Sequence, residues 1–153
     1  MVDRKTIIIP EVVEMYKQSV LTVAPAMGFG PEGGGLAHAV VTEGGKTLRM
    51  SGYPSISTDG LVGKGDMGAQ MTQALENVRL TLEAAGATID DIVYYVFYFT
   101  DRESFWAEGL PARAAFFKKH SKTKDLPCVT SVMVAGLMTP DMMIEIEATA
   151  VFD

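Results

Sequence analysis

A single cysteine, Cys128, stands in 153 residues, so the chain forms no internal disulfide. No N-terminal stretch joins a basic start, an apolar run and a small-residue cleavage site, and the two absences together read as a cytoplasmic protein. Long apolar runs are missing too: none approaches the roughly 20 residues that span a bilayer, which excludes the membrane as a home. Positive charge is in short supply, with 13 Lys and Arg against 19 Asp and Glu and a net charge of −6. Non-specific nucleic-acid affinity comes from a basic surface, so this balance argues against nucleic acid as a partner. The one basic cluster, Lys118, Lys119, His120, Lys122 and Lys124, follows an apolar helix and reads as its solvated end, where cations suit the helix dipole.

The remainder is ordinary for a soluble globular domain, with 48% apolar and 21% charged residues and ten methionines, somewhat above the usual share. The length suits one domain that buries a core without metal or disulfide staples.

Pro10 to Leu21 reads as a short amphipathic helix with Val12, Met15, Tyr16, Ser19 and Val20 on one face. The glycines and prolines of APAMGFGPEGGG, Ala24 to Gly35, make a loop. LAHAVVT and TLRMSG read as two strands around Gly44-Gly45, a hairpin. From Asp66 the spacing Met67, Met71, Ala74, Leu75, Val78, Leu82, Ala85 predicts a helix ended by Gly86. IVYYVFYFT, Ile92 to Thr100, lacks alternation and reads as a strand covered on both faces. A second helix follows from about Glu103 to Lys119 with Phe105, Leu110, Ala114 and Phe117 inward, then strands Val129 to Ala135 and Met143 to Phe152.

The expected architecture is an α/β domain over residues 36–153, β-β-α-β-α-β-β, after an N-terminal extension of residues 1–35. Its mixed sheet carries two helices on one face. A strand apolar on both faces then needs a second cover, and another copy of the chain is the economical one. Alternation puts Ile144, Ile146 and Ala148 toward the helices, and Glu145, Glu147 and Thr149 toward a partner or cleft, where a carboxylate must be paired or needed. Val129, Ser131 and Met133 share one face of their strand, and Thr47, Arg49 and Ser51 share one face of theirs.

MSGYPS, GDMGAQMTQALENVRLTLEAAGATIDDIV, YFTDRESF and a Pro-led strand followed by IEIEATAV occur in this order. Together they resemble the YjgF/RidA, or reactive intermediate deaminase, family over roughly Leu36 to Val151. The resemblance implies a chorismate-mutase-like fold and a homotrimer with small-molecule pockets between subunits. Members with imine deaminase activity hydrolyse enamines or imines to ketoacids and ammonia, and no metal or cofactor is implied.

In those enzymes an arginine two residues after a strand-opening proline clamps the substrate carboxylate in a bidentate way. Here the proline is Pro127 and the position is Val129, so the clamp is absent. The family's Ser-Gly pair matches Ser51-Gly52, and its water-positioning carboxylate matches Glu145. Its pocket cysteine corresponds to Ser131, and the tyrosine and glutamine before its first strand correspond to Leu36 and His38. Cys128, with no basic neighbour evident to lower its pKa, reads as packing.

The resulting expectation is a divergent member that hydrolyses an enamine, imine or related unsaturated acid at a trimer interface, as members acting on aminomuconate do. Glu145 would orient water and move a proton, and Ser51, Ser131 or backbone N–H groups would hold developing charge. The alternative from another class is a non-catalytic trimer that binds a metabolite or protein, with Val129 and Leu36 making a dry pocket. Endoribonuclease activity, attached to some members, is disfavoured by the acidic charge.

Overall fold

The computed structural model describes residues 1–19, 37–123 and 125–153, with the backbone alone for 16–19. The expectations for residues 20–36, Leu36 among them, for Lys124 and for the side chains of Tyr16 and Ser19 lie outside the described residues. The order of elements is β1 (Asp3–Ile7), α1 (Pro10–Ser19), β2 (Ala39–Glu43), β3 (Lys46–Arg49), β4 (Tyr53–Pro54), β5 (Ile56–Ser57), β6 (Gly60–Leu61), α2 (Met67–Ala84), β7 (Ile92–Phe99), α3 (Arg102–Ser104), a π turn (Phe105–Gly109), α4 (Leu110–His120), β8 (Cys128–Met133) and β9 (Ile144–Phe152).

The central sheet is mixed, as expected. Its strands run β3-β9-β7-β8, and β4 joins beside β3 on the same edge of β9. β7 and β8 are parallel, and the other pairs are antiparallel. Ile144, Ile146 and Ala148 are buried on the helix side, where α2 packs on β9 and on α4. Each large apolar side chain sealed there contributes about 1.5–3 kcal/mol. Phe99 stacks on Phe105 at 4.0 Å between ring centres, joining the sheet to the π turn.

α2 begins and ends where its sequence directs. The Asp66 carboxylate accepts from Ala69 N at 2.8 Å as N-cap. Beyond its last residue Gly86 takes φ +83°, which lets Ala87 N donate back to Leu82 O at 2.8 Å.

The helix-free face of β7 is half open. Val93 is an extra residue relative to β9, so Ile92 and Tyr95 both face the core and Tyr94 turns away, 39% exposed. Among the described residues nothing covers Tyr94, and the second cover expected from the sequence is not supplied by the elements of the one chain.

Two further expectations are corrected. The Gly44-Gly45 turn forms, with both glycines at φ +77°, but β2 pairs with β1 and β3 with β9, so the strands it joins are no hairpin. β1 was not expected, because DRKTI is largely polar, yet its half-buried residues alternate over Arg4 and Thr6. In the second helix Ala114 is exposed and Arg113 is buried in its place. The π turn between Phe105 and Leu110 adds a residue to one turn and rotates everything after it. On α1, Val12 is half-buried but Met15 is 66% exposed.

Candidate functional site

Glu145 sits near the start of β9, opposite Tyr98 of β7 on one side and Pro54 of β4 on the other. The edge formed by β3 and β4 breaks between Arg49 and Tyr53, and Ser51-Gly52 lies in that break. Met50 still donates to Ala148 O at 3.0 Å, which holds the break against β9. The Glu145 side chain lies flat on Gly52: a Cβ there would stand 2.7 Å from Glu145 Cδ and 2.9 Å from Cγ. Only glycine leaves the carboxylate this room.

On the same face Tyr98 Oη donates to Glu147 at 3.3 Å. Burial, then the negative charge of Glu147, pushes the Tyr98 phenol above its ordinary value. Lower on this face a cleft of about 270 Å³ is lined by Arg49, Tyr94, Val96, Glu147 and Thr149 among others, with a cation and an anion in one small space. The IEIE alternation places Glu147 with Glu145 on this face, as expected from the sequence; Tyr98 was not singled out there, since its place opposite Glu145 depends on strand pairing.

The other expected residues lie elsewhere. Val129 and Ser131 of β8 lie in register with Tyr95 and Phe97, so they share the helix side of the sheet, opposite to Glu145. Val129 is half-buried and packs on the core, beside a Tyr95 phenol that accepts from Arg113 Nη2 at 2.9 Å. Arg113 is only 7% exposed, and its guanidinium carbon lies 5.6 Å over the Tyr95 ring and 5.4 Å over Phe117. Ala37 N donates to Pro127 O at 3.0 Å, which brings the segment before β2 to the start of this strand. His38 follows it, and its Nδ1 accepts from Ile9 N at 3.0 Å, an arrangement that pins the end of β1.

Cys128 points to the helix-free side, in register with Tyr94. Burial pushes its thiol up, against smaller opposite pulls from the Val40 N–H and the Arg4 charge. It is a packing thiol. Among the described residues no three His, Cys, Asp or Glu side chains are grouped to hold a metal ion, and no helix is long and apolar enough to cross a membrane.

Thus Ser51-Gly52 and Glu145 come together, Val129 and Ser131 share the other face on a strand that β7 separates from β9, and His38 lies before β2 with its Nδ1 on Ile9 N. The curated 2-iminobutanoate/2-iminopropanoate deaminase of Salmonella typhimurium is 42% identical over 86 residues, 56% of this chain and 64% of that protein. The match thus spans less than two thirds of that relative. The crystal structure of YyfB from Yersinia pestis, a Rid-family protein of unknown function, superposes with a TM-score of 0.72 at 31% identity, covering 97% of this chain and 98% of that one. Escherichia coli TdcF with bound serine superposes with a TM-score of 0.63 at 30% identity, over 72% and 84% of the two chains. Residues 34–152 match the Endoribonuclease L-PSP family, and with these relatives the chain belongs to that family, the YjgF/RidA proteins.

Proposed function

We propose that this protein deaminates an enamine, imine or related unsaturated metabolite by hydrolysis, in a pocket completed between subunits of a homotrimer. The observation that carries this reading is the division of the site: the Glu145 group and the Val129 group lie on opposite faces and on strands separated by β7. Two halves that cannot meet within one chain meet if the β8 edge of one copy approaches the Ser51-Gly52 break of the next. The open face around Tyr94 supplies apolar surface for such an approach.

In this reading water attacks the imine carbon while Glu145 accepts its proton. That proton passes to the nitrogen to give a carbinolamine; its C–N bond then breaks as the hydroxyl proton reaches the nitrogen, which leaves as ammonia, so one water is consumed for each carbonyl formed. Ser51, Ser131 and the backbone at Gly52 hold developing charge. Val129 offers no guanidinium to a carboxylate, so the substrate differs from the small 2-imino acids named for the Salmonella relative. Loss of such a bidentate contact costs roughly two to three powers of ten in kcat/KM. The single cysteine suits a reducing compartment such as the cytoplasm.

The test is ammonia release from imines generated in situ from threonine and from an aminomuconate, with sedimentation to read the oligomer. We expect weak turnover of the threonine-derived imine, raised about tenfold or more by Val129→Arg, and loss of all turnover in Glu145→Gln. Full turnover by Glu145→Gln would refute the mechanism. An inert trimer that still captures a metabolite would be the binding protein instead.

A further inference from the structure

Both walls of the Glu145 site hang from one stripe of α2. Gln70 is fully buried and its amide is spent on backbone groups: Nε2 donates to Gly63 O at 3.1 Å and to Asp141 O at 2.9 Å, and Oε1 accepts from Met143 N at 2.8 Å. Met143 immediately precedes β9, two residues before Glu145. Two turns along the same stripe, Asn77 Nδ2 donates to Pro54 O and to Ile56 O, both at 3.0 Å. That is the segment leading out of Gly52.

Gln73, between them, donates to Asn77 Oδ1 at 3.0 Å and so fixes which way the Asn77 amide faces. Thr81, one turn further, lies 2.8 Å from Tyr53 Oη. Residues 70, 73, 77 and 81 recur at helical spacing, so one rigid rod grips both strands. A fully buried amide is costlier than an apolar side chain unless saturated, and what it adds is direction.

We propose that Gln70 and Asn77 are positioning residues, which through the backbone set the gap between the Glu145 carboxylate and Gly52. The inference rests on the reading of Glu145 as the proton-transfer group. Neither amide touches the reacting atoms. Gln70 holds the strand that carries the carboxylate, and Asn77 holds the strand against which it lies.

The experiment follows the Gly52 amide in ¹⁵N–¹H spectra across pH. With the carboxylate lying against Gly52, that resonance moves as Glu145 titrates, and Glu145→Gln supplies the baseline. In Gln70→Met and Asn77→Ala we expect the amplitude of this movement to fall to about half or less, with kcat down about tenfold and KM little changed. Phe116→Leu, a core change on the other helix, should leave the amplitude at the wild-type value. If Gln70→Met does not fold, Asn77→Ala carries the test. An unchanged Gly52 amplitude in the folded variants overturns the inference. A reduced amplitude together with full turnover by Glu145→Gln would leave the positioning standing and refute the catalytic reading.

Discussion

A methyl group on Gly52 would stand 2.7 Å from Glu145 Cδ, and what must yield is the end of a flexible side chain rather than backbone. Gly52→Ala should therefore separate stability from activity. We expect unfolding free energy to change by less than about 1 kcal/mol, while deamination falls about tenfold or more because the carboxylate is displaced. Calorimetry beside the ammonia assay reads both, and a large loss of stability with intact turnover would contradict it. At this scale the sequence was informative where alternation decides. Glu145 and Ile146 take opposite faces because neighbouring strand residues must. It matched His38 to a pocket position by resemblance but did not foresee its Nδ1 bond to Ile9, which depends on a strand that only a long-range partner creates.

Elements follow local chemistry as long as no residue is inserted. α2 starts at Asp66 and turns off at Gly86 as the pattern dictates, and Asp66→Ala should cost about 1 kcal/mol, read as a lower urea midpoint with unchanged slope. A midpoint within error of wild type would show that the cap adds nothing. The second helix departs from its pattern because a π turn costs little in periodicity yet rotates the next two turns. Period counting cannot see that, so Ala114 was expected where Arg113 lies. Val93 does the same to β7, and its extra residue is why a strand without alternation still has a buried and a half-open side. The Gly44-Gly45 pair specified its turn correctly, but a turn does not choose partners for the strands beyond it.

Across the whole molecule three carboxylates held below their ordinary value tie stability to pH. Hydrogen bonds from Ser104, with its N–H at 2.7 Å, pull Asp101 below the ordinary carboxylate value. Arg79 does so for Glu76, and the N-terminal amine for Asp153. A folded value below the unfolded one gives stability that is present above the unfolded value and lost as pH falls through the folded one. The urea midpoint should thus hold between about pH 5 and 7 and decline below about pH 4. A midpoint that rose on acidification would reverse the sign. At this scale the order of helices and strands could be read from periodicity, but the arrangement of the site could not. Within one chain Glu145 and Val129 lie on opposite faces of the sheet, and periodicity within a chain carries no information about a neighbour.

β8 ends the sheet, and from Leu126 to Gly136 there is not one charged side chain. Among the described residues only Ala37 pairs its backbone with the outer edge, at Pro127. Charges, prolines and bulges are what usually keep such an edge from recruiting strangers. In the trimer proposed above this edge is covered, so a chain newly released from the ribosome would face two outcomes, capture by its own copies or adhesion to any exposed strand nearby. Dilution slows the first and does nothing to lower the chemical appetite behind the second.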